Sequence, residues 1–434
     1  MKAINVGLCG VGTVGGGTAT VLKRNGEEIA RRAGRPIVVT MAANRDLDRA
    51  RELVGEGVAL TDNAMDVVNN PDIDIVVELI GGTTIAKDLV LAAIENGKHV
   101  VTANKKLIAE YGNEIFAKAQ EKGVIVAFEA AVAGGIPVIK ALREGLTANK
   151  IEWVAGIING TSNFILTEMR DKGSAFADVL AEAQRLGYAE ADPTFDIEGH
   201  DAAHKLTIMS AIAFGIPVQF DKAYLEGISK LDAADIKYAA ELGYRIKLLG
   251  MTRRRANGIE LRVSPTLIPA GRLIANVDGV MNAVLVKGDA VGATMYYGPG
   301  AGAEPTASSV IADLVDITRL HTADPEHRVP HLAFQPTAMA NLPILSIDDV
   351  ETCYYLRLSV KDLPGVLAEV TAILAEGQIS VDAMLQKPAG DSAEIVIVTH
   401  TAVEKNVNAA IAKIEALSST NGKVVKLRLE HLNG

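Results

Sequence analysis

The chain has 434 residues, room for about two to four domains, and 49% of them are hydrophobic, enough for sizeable cores, with aromatics at only 4%. A formal charge of −10, with Arg253–Arg255 as the longest basic run, argues against a nucleic-acid partner, and two cysteines, Cys9 and Cys353, make no disulfide framework or zinc site. The apolar stretches Val124–Leu142 and Leu206–Val218 are broken by Glu129 and Lys140 or by Gly215 and Pro217, so no membrane span is expected; the glycine-dense start reads as strand and turn rather than signal peptide, and the reducing cytoplasm is the expected compartment.

Ala3–Leu8 is a short apolar strand, followed by a glycine turn and a predicted helix over 18–32. Ile37–Ala43 is a second strand, Asp74–Ile80 a third closed by Gly81-Gly82, His99–Thr102 a fourth and Val124–Phe128 a fifth, with helices expected over 87–96 and 115–122. Strands alternating with helices imply βαβ units and a parallel sheet over roughly residues 1–130. After Pro137 the pattern turns to mixed α+β: helices are expected at 175–186, 201–214 and 232–249, strands at 152–158, 260–268, 280–286 and 289–297. A helix over 307–318 follows, then a stretch rich in Pro and His (321–343) that reads as a linker. From Thr352 the expected order is strand 354–360, helix 365–376, strands 380–386 and 394–400, helix 404–417 and strand 424–429, the βαββαβ ferredoxin-like arrangement.

The turn Gly10-Val11-Gly12-Thr13-Val14-Gly15 is G-x-G-x-x-G with a strand before it and a helix after it. The first glycine permits the tight turn, the second lets a pyrophosphate approach the backbone, and the third lets helix and strand pack closely. A dinucleotide is the expected ligand, its phosphates on the free N–H groups of the helix. At the end of the second strand, Arg45 offers a grip for an NADP 2′-phosphate and Asp46 offers a partner for ribose hydroxyls; the pair is also an ordinary helix start. NADP is favoured, with NAD usable.

Phosphorylating oxidation of an aldehyde would need a cysteine nucleophile in mid-chain, and Cys9 and Cys353 are both misplaced for it. Direct hydride exchange between a carbinol and a carbonyl needs only an acid/base group at the oxygen. Candidates cluster in Gly187–Lys205, which holds Tyr188, Glu190, Asp192, Asp196, Glu198, His200, Asp201 and His204. Asp201 and Lys205 share a helix face; Lys205 borders an apolar run, where desolvation suits proton transfer, although a surface ion pair has the same spacing. His200 and His204 lack an evident third metal ligand. Lys105 and Lys106 follow the fourth strand, at the edge where a parallel sheet lines its ligand crevice, or form a solvated pair.

These motifs resemble those of the homoserine dehydrogenases, in the long form with a C-terminal ACT domain. The resemblance runs through GLCGVGTVGGG, VTANKKLIA from Val101, FEAAVAGGIPVI from Phe128, GIINGTSNFILTEM from Gly156, GYAEADPTFDIEGHDAAHKL from Gly187 and YYGPGAGAEPTASSVIADL from Tyr296. It implies an α/β fold: a Rossmann NAD(P)-binding domain over 1–135 completed by about 298–320, an α+β catalytic and dimerisation domain over 136–297, a linker over 321–350 and a ferredoxin-like ACT regulatory domain over 351–434. It implies reversible oxidation of L-homoserine to L-aspartate 4-semialdehyde with NADP or NAD. Lys205 would be the proton donor to the aldehyde oxygen and Lys105 would assist beside the nicotinamide. Gly187, Glu190 and Asp201 would hold the substrate, and Gly302 would close over the cofactor bound by Gly10, Gly12, Thr13, Val14, Gly15 and Arg45. A monovalent cation, usually Na+, would sit on Glu129, Val132, Gly134 and Ile136; Gly134-Gly135 before Pro137 can turn carbonyls toward one point, or simply begin a helix. In the tail, Asp362, Gly365, Val366 and Leu367 match the ACT ligand loop, with L-threonine as the expected effector and a non-binding pairing module as the alternative. A homodimer or homotetramer follows from the family. A sensor without catalysis would lack Lys105 and Lys205, and a reductase for another semialdehyde would depart from GYAEADPTFD; this chain does neither.

Overall fold

A computed structural model of the chain describes residues 2–433. They fall into two compact units: the first runs to Ile158 and adds Ala203–Lys222 and Met281–Leu342, the second joins Asn159–Ala202, Ala223–Val280 and the chain from Pro343 onward.

The first unit is built on a six-stranded parallel sheet. Its strands are β1 (Ile4–Cys9), β2 (Ile37–Ala43), β3 (Ala59–Thr61), β4 (Ile75–Glu78), β5 (His99–Thr102) and β6 (Val126–Ala127), in the order β3-β2-β1-β4-β5-β6. This is the doubly wound order whose switch point lies between β1 and β4. Every residue of β4 and β5 is buried, as expected for strands covered on both faces. The expected helix over 18–32 is two, α1 (Thr13–Arg24) and α2 (Gly26–Ala33), broken at Asn25, where φ is −109°. Helices α3 (Leu47–Val54), α4 (Ala64–Asn69), α5 (Thr84–Glu95) and α6 (Lys105–Lys122) complete the layers; α6 starts ten residues earlier than its apolar pattern indicated.

Helix Ala303–Leu320 closes this layer from far along the chain. Its Ala307, Val310 and Leu314 share a core with Val6 and Leu8 of β1. The same unit carries the strands Ile151–Ile157, Met281–Gly288 and Gly292–Pro299, paired antiparallel with Met281–Gly288 in the middle. Residues 321–342 pack onto the first unit: the His331 ring stacks on Phe116 at 5.1 Å, and a Cβ on Gly215 would lie 2.7 Å from the Phe334 ring.

In the second unit the expected helix over 232–249 is corrected. Ala233–Glu241 is helical, Gly243 turns the chain at φ +83°, and Tyr244–Arg255 is a strand paired antiparallel with Gly258–Pro269. The apolar run Ile246–Met251 suits either element; burial on both faces beside a long partner strand selected the strand. The tail forms the expected βαββαβ unit, with strands Thr420–Leu429, Glu351–Lys361, Ser392–Thr399 and Val381–Ala389 side by side in that order. Its last strand also pairs in parallel with Gly258–Pro269 at Thr266 and Leu267, so the tail extends the sheet of this unit. Buried charges pin that seam: Arg428 pairs with Glu404 and Glu226, and Arg262 with Glu260 and Glu430. Among the described residues, no helix is long and apolar enough to cross a membrane.

Two imidazoles, buried His99 and half-buried His331, tie strand ends in the first unit. His99 Nδ1 accepts from Ile125 N at 3.0 Å and His331 Nε2 from Val126 N at 3.1 Å. Burial, reinforced by Arg328 and His321 at His99 and by Arg143 and Arg328 at His331, holds both pKa values down at about 4. The unfolded chain, with histidines near ~6.5, binds more protons below that value, so this stability is complete above pH ~6.5 and is lost as pH falls toward 4. The urea midpoint is therefore expected to drop between pH 7 and 4.5. His331→Gln, which keeps an acceptor without a titrating base, should lessen the drop; an undiminished drop in the variant would refute this assignment.

Candidate active site

The C-terminal ends of β1, β2 and β4 open onto a groove of about 460 Å³ lined by Gly10, Gly12, Asn44, Arg45, Asn63 and Ile80, among others. Gly10 has φ +100°, and a Cβ there would lie 2.7 Å from Leu79 O. A Cβ on Gly15 would lie 2.1 Å from Gly10 O, whereas one on Gly12 would meet nothing within 4 Å. Turn, open approach and close packing are thus divided among the three glycines as their spacing indicated. Thr13 and Val14 open α1, whose N-terminus has no side-chain cap, leaving its N–H groups for an anion. Arg45 stands exposed on the groove wall. Asp46 accepts from Arg49 N at 3.0 Å and so caps α3. Asn44, which sequence reasoning missed, accepts from Val11 N at 3.2 Å and donates to Asp46 O at 2.8 Å, tying the glycine turn to the end of β2.

Lys105 is the first residue of α6. Asn104 caps that helix by accepting from Leu107 N, its own N–H donates to Thr102 Oγ1 at 3.0 Å, and its side-chain amide donates to Gly82 O at 2.7 Å. Thr102 Oγ1 in turn donates to Glu78 at 2.7 Å. In the same unit Lys205 is buried, its Nζ donating to Ile158 O at 2.7 Å.

Glu129, Val132, Gly134 and Ile136 lie together in one buried turn where Ala133 and Gly134 both have positive φ, 56° and 50°. The Glu129 carboxylate accepts from Ile139 N and Lys140 N, its own N–H donates to Asp313 at 2.8 Å, and Ser309 donates to Gly134 O at 2.6 Å. Gly302 caps helix Ala303–Leu320 at φ +129°. Burial, with Asp313 alongside, pushes Glu129 up to about 8. A buried carboxylate inside a carbonyl-lined turn is an all-oxygen donor set, which fits a hard cation. No group of three or more His, Cys, Asp or Glu side chains suited to a metal occurs among the described residues.

In the second unit, Asp201 is buried and accepts from Asn159 Nδ2 at 2.9 Å; the same amide donates to Asp196 at 2.7 Å and caps the following helix through Ser162 N. Thr161 Oγ1 donates to Tyr188 O at 2.6 Å, joining this cluster to the loop in which Gly187 takes φ +76° and Glu190 is exposed. Asn159 and Thr161 were not singled out in the sequence; the capping Asn at a strand-to-helix junction was the available signal. His200 stacks against Phe195, and in the first unit the His204 ring lies tilted against Phe220 at 4.1 Å. In the tail, Asp362 and Gly365 are exposed, Gly365 caps helix Val366–Glu376 at φ +95° without a side-chain cap, and Val366 and Leu367 begin it.

Three family models match the chain in series: the homoserine dehydrogenase NAD-binding domain over residues 10–129, homoserine dehydrogenase over 137–315 and the ACT domain over 354–419. The homoserine dehydrogenase of Pseudomonas aeruginosa is 65% identical and that of Neisseria gonorrhoeae 62%, each over 100% of both chains. The crystal structure of a homoserine dehydrogenase from Thiobacillus denitrificans is 71% identical with a TM-score of 0.96, covering 100% of this chain and 99% of that one. The chain belongs to the homoserine dehydrogenase family. As a homoserine dehydrogenase it is an NAD(P)-dependent oxidoreductase with Rossmann, catalytic and ACT parts. A hyperthermophilic archaeal homoserine dehydrogenase solved in complex with NADPH is 27% identical with a TM-score of 0.63, over 74% of this chain and 99% of that one.

The glycine geometry separates binding from folding. Gly12→Ala, at φ −90° and facing open space, is expected to leave the melting temperature unchanged and to weaken NADPH binding by roughly tenfold or more. Gly15→Ala forces a Cβ against Gly10 O and should cost about 1–3 kcal/mol of stability. Thermal scans paired with nucleotide-fluorescence titration check both; a destabilised Gly12→Ala would contradict the division of roles.

Proposed function

We propose that the chain interconverts L-homoserine and L-aspartate 4-semialdehyde, reducing the aldehyde in the biosynthetic direction that leads from aspartate toward threonine, methionine and isoleucine. The observation that carries this reading is Lys205: a buried amine hydrogen-bonded to Ile158 O, one turn beyond Asp201 on the same helix. When bound, the nicotinamide supplies the hydride to the aldehyde carbon. Lys205 gives a proton to the oxygen, which would otherwise carry the developing negative charge, and Lys105 adds positive charge on the nucleotide side. Glu190 and Asp201 complement the substrate ammonium, and Gly187 supplies backbone contact. Gly10, Gly12, Thr13, Val14 and Gly15 hold the pyrophosphate, and Gly302 closes over the cofactor. Arg45, exposed on the groove wall while Asp46 is occupied as a cap, favours NADP over NAD.

Glu129, Val132, Gly134 and Ile136 would hold a sodium ion, whose positive charge would offset the buried Glu129 carboxylate and stiffen the turn. The domains divide as Rossmann (1–135 with about 298–320), catalytic and dimerisation (136–297), linker (321–350) and ACT (351–434). Asp362, Gly365, Val366 and Leu367 form the effector loop, where the uncapped N–H groups of a helix suit the carboxylate of L-threonine. The working form is a cytoplasmic homodimer or homotetramer.

The test is NADPH oxidation with L-aspartate 4-semialdehyde. Wild type is expected to turn over, and Lys205→Ala to lose about 10²–10⁴ in kcat. An unchanged rate removes Lys205 from this role, and an inactive wild type overturns the reaction. Added L-threonine should slow the wild type; no inhibition and no heat on titration would reject feedback through the tail.

A further inference from the structure

Glu78 ends β4 and is completely buried. Its Oε1 accepts from Ile80 N at 2.9 Å and Gly81 N at 3.0 Å, and its Oε2 accepts from Thr102 Oγ1 at 2.7 Å. We propose that Glu78 is the positioning residue that sets the nucleotide-side geometry, holding the groove lip after β4 and the start of α6 that carries Lys105 in one fixed arrangement. The proposal rests on the role given above to Lys105.

Two features single out a carboxylate. Three donors converge on one side chain from two chain segments, and only an acceptor-only group satisfies all of them. The direction of the hydrogen-bond chain then follows. Because Thr102 must donate to Glu78, its lone pair is left for Asn104 N at 3.0 Å; Asn104 is thereby held with its amide on Gly82 O and its oxygen on Leu107 N. Gly81 and Gly82 take φ +79° and +71°, so the lip is a left-handed turn that strand geometry does not impose and that the carboxylate grips from below. Ile80 of this lip lines the nucleotide groove, and Lys105 follows Asn104 directly. An amide at position 78 would turn its NH₂ toward either the lip N–H groups or Thr102 Oγ1, and would leave the donor it faces without its acceptor, loosening that side of the arrangement.

The experiment is a double-mutant cycle on the full chain with Glu78→Gln, Lys105→Met and the pair, reading NADPH affinity, kcat and KM for the aldehyde, with Thr102→Val as a second, smaller cut in the same chain. Glu78→Gln should weaken NADPH binding and lower kcat by roughly tenfold each while aldehyde KM stays within about threefold. In the Lys105→Met background it should cost little further kcat, because the group it positions is gone. Thr102→Val should shift the same parameters in the same direction. Wild-type NADPH affinity and kcat in Glu78→Gln, or full additivity with Lys105→Met, would overturn the proposal and leave Glu78 a stabiliser of the fold. If Glu78→Gln does not fold, Thr102→Val decides alone by the same readouts. Full activity in Lys105→Met would instead refute the role of that lysine, a separate failure.

Discussion

Backbone meeting backbone without room for a Cβ is the constraint on which the first unit depends. The glycine turn folds back on itself between Gly15 and Gly10, α1 meets helix Ala303–Leu320 at Gly17, where a Cβ would lie 2.5 Å from Ala303 O, and the Glu129–Ile136 turn meets the loop before that helix at Gly134, where it would lie 2.4 Å from Gly300 O. The last two approaches join segments far apart in the chain. Helix Ala303–Leu320 thereby touches both α1, at Gly17, and, through Ser309 and Asp313, the buried turn of Glu129. A single added methyl at any of these glycines pushes the facing backbone segments apart.

Beyond those contacts, loops within each unit are held by buried acceptors. Glu78 takes two backbone N–H groups and a hydroxyl, Glu129 takes two N–H groups, and Asp201 shares the Asn159 amide with Asp196. A buried carboxylate that is fully hydrogen-bonded keeps its place, because losing one donor leaves an expensive unsatisfied charge. This makes the irregular backbone at strand ends as well determined as the strands, which hydride transfer requires: misplacement by an ångström is costly in rate.

The second unit relies on charge pairing. The ACT strand Thr420–Leu429 lies between Gly258–Pro269 and the rest of the tail, with Arg428 and Arg262 among the largest fully buried side chains. Such pairs add little net stability over an apolar seam, but breaking one strands its partner, so they specify register and order. An effector at the loop beginning with Asp362 would act at the far end of strand Glu351–Lys361, which runs through this paired seam.

The sequence alone determined the doubly wound sheet, the glycine turn between strand and helix, the ferredoxin-like tail and the family, because each is written in a local pattern: apolar runs, a fixed glycine spacing, long contiguous motifs. It placed Arg45, Lys105 and Lys205 at candidate positions but left each with a bland alternative. Tertiary structure decided which alternative Asp46 takes, where α6 begins, that residues 244–249 belong to a strand rather than the expected helix, and that residues 321–342 pack against the first unit. It disclosed what Glu78, Asn104 and Asn159 join: besides their local partners, each reaches one 24, 22 or 42 residues away, and no local periodicity encodes a hydrogen bond across that distance. An apolar run of helix-or-strand length is likewise undecided until a partner strand satisfies its backbone, and that partner is supplied by the fold.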